Sequence, residues 1–199
     1  MKKIVFLATF LMANLFFTSC DTNDNTFYND VFVTSPNLVR IEASLAGYNV
    51  NDTIYVNCYI DRLLNVPGQT NLLDVRQSTG YANNFNFTYL LERQINTDEW
   101  EVVDVNPSAI DVTAGRIIGG NFYYASAAFS PSSDGYEFRA GIPLLVAGNY
   151  RISFGYNSTS TQIIELRSES INNNIFVNII SNEGNNLLNS AGYYTFTVL

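Results

Sequence analysis

The chain has 199 residues, a formal net charge of −8, no histidine and only two cysteines. Without histidine there is no Ser-His-Asp or Cys-His catalysis and no imidazole ligand for a metal, and an acidic chain is repelled by phosphate backbones and anionic headgroups. The partner left by this balance is neutral or cationic, a glycan or a protein; nucleic acid, cofactors and metals are not expected.

The N-terminus is a positive tip, Lys2 and Lys3, followed by an almost unbroken apolar run from Ile4 to Phe17. That is the form of a secretory leader. It falls short of the about 20 apolar residues that a spanning helix needs. Phe17-Thr18-Ser19-Cys20 then resembles the lipobox of bacterial lipoproteins. The resemblance implies cleavage before Cys20, a diacylglycerol thioether on its sulfur, and acylation of the new amino terminus. Several acyl chains, at about 0.8 kcal/mol per buried methylene, would hold the protein at the bilayer. Cleavage there removes both lysines and moves the net charge to −10, every remaining base being arginine. It also leaves Cys58 without an intramolecular disulfide partner. In Val56-Asn57-Cys58-Tyr59-Ile60 the thiol falls on the apolar face of a strand pattern and reads as a small buried hydrophobe rather than a reactive group.

Residues 21–29, DTNDNTFYN, are polar and lack a hydrophobic period. Residues 20–36 are therefore expected to be a lipidated tether between the leader, 1–19, and a domain spanning 37–199. Asp21, Asn23 and Asn25 alternate as calcium ligands do, but Thr26 and Phe32 stand where an EF-hand loop needs glycine and glutamate. The acidic start after Cys20 resembles the surface-export signal of Bacteroidota lipoproteins. From the leader to the closing Tyr-Thr-Phe-Thr-Val, much of the chain resembles Bacteroidota cell-surface lipoproteins. That likeness implies an outer-membrane, outward-facing location.

Beyond the tether the dominant period is two. Ile54, Val56, Cys58 and Ile60 alternate with polar or aromatic neighbours, as do Phe85, Phe87, Tyr89 and Leu91. Further strands are expected at 38–45, 100–105, 121–129, 136–142, 150–156, 175–180 and 193–199. Turn residues separate them, including Asn51-Asp52, Pro67-Gly68, Asp134-Gly135 and Gly148-Asn149. Short helical turns are expected near 72–75 and 110–113. The pattern predicts an all-β, antiparallel β-sandwich in a single enlarged domain, with the extra length in loops at 106–120 and 157–190. Leu145-Val146-Ala147-Gly148-Asn149-Tyr150 resembles the tyrosine corner of immunoglobulin-like and fibronectin-like sandwiches. The likeness implies that the domain at 37–199 is an immunoglobulin-like or fibronectin-like sandwich, with an inward leucine, a turning glycine and a tyrosine hydroxyl bonded back to the loop.

Three features bear on function. Glu99 and Glu101 share a strand face about 6.6 Å apart, a spacing found in glycosidase acid pairs, but any two acids at alternate strand positions have it, and a solvated hairpin edge is the preferred reading; no catalytic residue is assigned. Tyr123-Tyr124 and Tyr193-Tyr194 each place one ring outward if both segments are strands, so these four are the candidate ligand-contact aromatics, suited to stacking on a neutral sugar. Asp52-Thr53-Ile54 resembles the short O-glycosylation motif of Bacteroidota surface proteins, which marks Thr53 as a candidate attachment site. The reading is a non-enzymatic, membrane-anchored binding or structural module, with a carbohydrate-binding accessory of a glycan-uptake system as the alternative and a carboxylate hydrolase third.

Overall fold

The computed structural model describes residues 31–33, 38–44, 47–154, 163–168, 175–178 and 188–199. The expected leader, Cys20 and most of the expected tether lie outside them. Strand β1 (Val31–Val33) nevertheless falls inside the expected tether and pairs in parallel with Ile175–Val177. The sheet thus begins a few residues before the boundary expected at 36/37, where the polar run gives way to Val-Phe-Val.

Period two does what the sequence leads one to expect in β3 (Thr53–Asp61). Ile54, Val56, Cys58 and Ile60 are buried while Tyr55, Asn57 and Tyr59 on the opposite face are half-buried. β2 (Val39–Glu42) flanks β3 on one side and β11 (Gly135–Pro143) on the other, all antiparallel. β10 (Tyr123–Ser130) forms a hairpin with β11 through a turn in which Asp134 takes a φ of 51°. β10 then pairs with the first half of β6 (Asn84–Asn96), from Tyr123↔Tyr89 to Ala128↔Asn84.

At 13 residues β6 is long enough to serve two layers. Its second half pairs with β12 (Gly148–Ser153) and β7 (Glu99–Val102), and β15 (Tyr193–Val198) lies outside β12. The result is the expected all-β class: an antiparallel, sandwich-like arrangement curled about one hydrophobic cluster. Tyr89 joins the layers, its ring 5.3 Å from Tyr123 and 6.0 Å from Phe154 between centroids. Cys58 is buried there as a free thiol, and burial pushes its pKa far above the ordinary thiol range. The unreactive reading follows, because the thiolate is the nucleophile.

The tyrosine corner is present with one correction. Tyr150 Oη donates to Val146 O at 2.5 Å and Gly148 turns the chain at a φ of 144°. The inward leucine is Leu144, fully buried, whereas Leu145 is 54% exposed. Leu144 follows β11 and its backbone exchanges hydrogen bonds with Asn51 and Asp52, which carries its side chain into the core.

The remaining elements depart from expectation where strands are too short to show a period. Residues 106–120 are not a plain loop. They hold a 3-10 turn at Pro107–Ala109, capped by Asn106, and then β8 (Asp111–Ala114) and β9 (Arg116–Ile118). The helical turn expected at 110–113 is therefore displaced upstream to Pro107, whose fixed φ suits a first helical position. Within 157–190, β13 (Ile163–Ser168) and β14 (Ile175–Asn178) pair with each other, and β13 reaches β6 at Arg167↔Asn86. β4 (Leu63–Leu64) and β5 (Leu73–Asp74) make a small separate ladder. The turn expected near 72–75 is helix α1 (Val75–Ser78), which starts only after Asp74 because the Asp74 carboxylate accepts from Gln77 N at 2.9 Å.

Among the described residues, β8 and β9 create the irregularity on which the candidate site is built. The β10–β11 hairpin splays beyond Ala128↔Glu137, and the two short strands fill the split, β9 along β10 and β8 along β11. Gly115 sits between them at a φ of 70°. A Cβ there would collide with the Ser126 carbonyl oxygen and lie 2.9 Å from that of Glu137. Only glycine allows the wedge to seat so close to both strands.

Candidate binding site

Among the described residues, two of the outward faces that centre on arginine differ most sharply. The first is the outer face of β7, β6, β12 and β15. Arg151 grips Glu92 with two bonds, Nε to Oε2 at 2.7 Å and Nη2 to Oε1 at 3.0 Å. Its guanidinium also lies 4.3 Å from the Trp100 ring centroid and 4.5 Å from that of Tyr193. Beside it, Thr197 donates to Asn149, Asn149 to Gln94, and Gln94 to the Thr97 carbonyl. Every polar group in this row has found a partner within the fold. The face is a brace between strands.

The second face lies over the wedge. Register places Arg167, Asn86, Ser126 and Arg116 directly opposite one another on β13, β6, β10 and β9. The two arginine Cα atoms are three strand spacings apart, about 14 Å. Between Asn86 and Arg116 opens a groove of about 510 Å³, walled by Val112, Ile118 and Tyr124. That volume is in the range of small-molecule sites. Tyr124 is 38% exposed, and Ile118 and Val112 are more so. Ser126 at the floor is 4% exposed, and its Oγ has no hydrogen-bond partner.

Arg116 is the odd member among the arginines. Arg62, Arg93, Arg139, Arg151 and Arg167 each pair with a carboxylate. Arg40 donates to Asn57, and Arg76 lies over the Phe129 ring at 3.7 Å. Among the described residues Arg116 alone has neither ion pair, hydrogen bond nor ring for its guanidinium. In sequence it was hidden in a stretch read as loop. The signal that marks it is an arginine between glycines, Gly115-Arg116-Ile117-Ile118-Gly119, whose nearest acid, Asp111, already accepts from Tyr55 Oη at 2.7 Å.

The four tyrosines expected to contact a ligand separate as alternation requires. Tyr124 and Tyr193 face outward, while Tyr123 is fully buried and Tyr194 nearly so. Tyr123 Oη donates to Val103 O at 2.6 Å, and burial raises the pKa of both inward rings. These two are core residues and are withdrawn as ligand contacts. Tyr193 is committed to Arg151, so Tyr124 alone keeps an unclaimed ring at a groove.

Glu99 accepts from Asn96 Nδ2 at 2.8 Å inside the β6–β7 hairpin, and Glu101 lies 3.5 Å from Arg93. Glu101 lines a groove of about 190 Å³ between Arg93, Tyr150 and Val146, and Glu99 is not part of its lining. The structure therefore does not bring the pair together over one cleft. Thr53 is half-buried at the first position of β3, opposite Pro143. Among the described residues no cluster of three or more His, Cys, Asp or Glu is placed to hold a metal ion, and no helix is long and apolar enough to cross a membrane. No protein-family model, curated protein or solved structure matches the chain.

Proposed function

We propose that the protein is a lipid-anchored lipoprotein of the outer membrane, held through Cys20 and facing outward, whose β-domain is a non-enzymatic binding module. Its partner is a glycan taken in the groove over the β8–β9 wedge, as an accessory of glycan uptake would require. The anchor rests on the lipobox-like Phe17-Thr18-Ser19-Cys20 and the polar run after it. The binding half rests on one observation: a groove of about 510 Å³ combining an outward tyrosine ring, an apolar wall and an uncommitted guanidinium. Aromatic faces stack on the C–H faces of sugars while amides and guanidinium groups take their hydroxyls.

The two halves are tested separately. Cells fed an alkyne fatty acid should label the wild-type chain and not the Cys20→Ala variant; membrane retention of that variant defeats the anchor. Affinity gels cast with neutral polysaccharides should retard the protein, with Tyr124→Ala restoring its free mobility. Equal mobility in every gel removes neutral glycans as ligands.

A further inference from the structure

Resting on the binding-module reading, we propose that the groove selects a saccharide carrying one carboxylate, a uronic acid unit within an otherwise neutral glycan, with Arg116 as the group that holds the carboxylate. Carboxylates outnumber bases 18 to 10 in this chain, yet the Arg116 guanidinium finds none. Five other arginines do. A guanidinium presents a planar fork matched to a carboxylate, and the pairing is stronger where an apolar wall excludes water. Val112 and Ile118 line the groove beside Arg116, exposed in the free protein and available for a ligand to cover.

The other parts of the groove suit a sugar ring better than a flexible aliphatic acid. Tyr124, opposite Ile118 on β9 and one position along the outer face from Ser126, offers a ring face. The Ser126 hydroxyl is buried at the floor without a partner, and the more accessible polar side chain is Asn86, opposite it in the same row. At the far end of that row Arg167 is already held by Glu165 at 2.8 Å, so the site offers one open cationic anchor rather than a basic track. The net charge of −8 then disfavours a polyanion. A single carboxylate close to Arg116 escapes most of that repulsion, because charges farther than about 8 Å are screened at physiological salt.

The test is calorimetry on the full chain in detergent micelles. The probes are a neutral trisaccharide bearing one glucuronic acid residue, the same compound with its carboxyl reduced to the alcohol, and a short peptide with a free C-terminal carboxylate. The acid saccharide should bind at least about tenfold more tightly than its reduced form, consistent with one charge-assisted bidentate contact. Arg116→Gln should erase that preference, bringing the acid saccharide's affinity down to that of the reduced form on the same variant. Tyr124→Ala should weaken both saccharides. Equal binding of the two saccharides overturns the carboxylate inference and leaves the glycan-binding reading standing, as does a preference that survives Arg116→Gln. Arg116-dependent binding of the peptide alone overturns the choice of a saccharide. Failure of all three probes removes both readings. Thermal melts of each variant, expected to match wild type, separate lost binding from lost folding.

Discussion

The two outward faces use the same residues to opposite ends. Over β6, β7, β12 and β15 an arginine beside aromatic rings is closed: Arg151 has two bonds to Glu92 and rings of Trp100 and Tyr193 nearby. Over the wedge an arginine on the same face as a tyrosine is open. The difference lies in what stands across the strand. Arg151 faces Glu92 in register, whereas Arg116 faces Ser126, a side chain too short and too neutral to engage it. Residue type alone therefore does not mark a site; the cross-strand partner decides whether the arginine serves stability or remains available.

The comparison breaks most severely at the wedge itself. Gly115→Ala should cost about 2–4 kcal/mol, from a Cβ forced against two carbonyl oxygens at positive φ, and chemical denaturation should show the loss. If stability is retained, β8 and β9 do not seat as described and the groove has another shape.

On the braced face, Arg151→Ala should destabilise by about 2 kcal/mol, since it leaves the largely buried Glu92 carboxylate unpaired and two rings without their cation. At the corner joining the layers, Tyr150→Phe should cost about 1 kcal/mol by deleting one hydrogen bond to Val146 O. Both are read from denaturant midpoints at constant slope.

A smaller effect sharpens the contrast through pH. The Arg139 guanidinium, with help from Asn57, holds the Glu42 carboxyl below its usual range, though burial partly opposes this. A depressed carboxyl binds fewer protons in the folded state than in the unfolded chain. Its contribution is therefore present above the unfolded pKa and lost as pH falls through the folded one. At neutral pH Glu42→Gln should lower stability by about 0.5 kcal/mol, discounted for an exposed pair. The gap between variant and wild type should close in acid below the ordinary glutamate range. A gap that stays constant with pH refutes the pairing. Smallest of all is Arg116→Gln, which should shift the melting curve by no more than about 0.5 kcal/mol, as for a surface side chain without contacts. A larger loss means that Arg116 is a brace like Arg151.

Long strands were legible because burial of one face writes alternation into the sequence. β3, β6, β10 and β11 lie close to their expected positions, and the bond from Tyr150 to its own loop follows from a local motif. The short pieces were not. Three residues such as Arg116-Ile117-Ile118 cannot display a period, and β13 lies in an asparagine-rich region read as loop. The candidate site suffered most, because its row is drawn from residues 86, 116, 126 and 167, which no local window spans. Tyr124 was found by alternation, but that same rule could not say which of Tyr123 and Tyr124 faced the core.

By itself the sequence determined the β class, the buried faces of β3 and β6, the inert character of Cys58 and the exclusion of histidine chemistry. These depend on side-chain type and near-neighbour periodicity. Tertiary structure alone decided that β6 would serve two layers, that a short wedge would open the β10–β11 hairpin, and that Arg151 would be closed while Arg116 stayed open. Those outcomes depend on register between distant strands, and register is fixed by the packing of whole sheets rather than by any local run of residues.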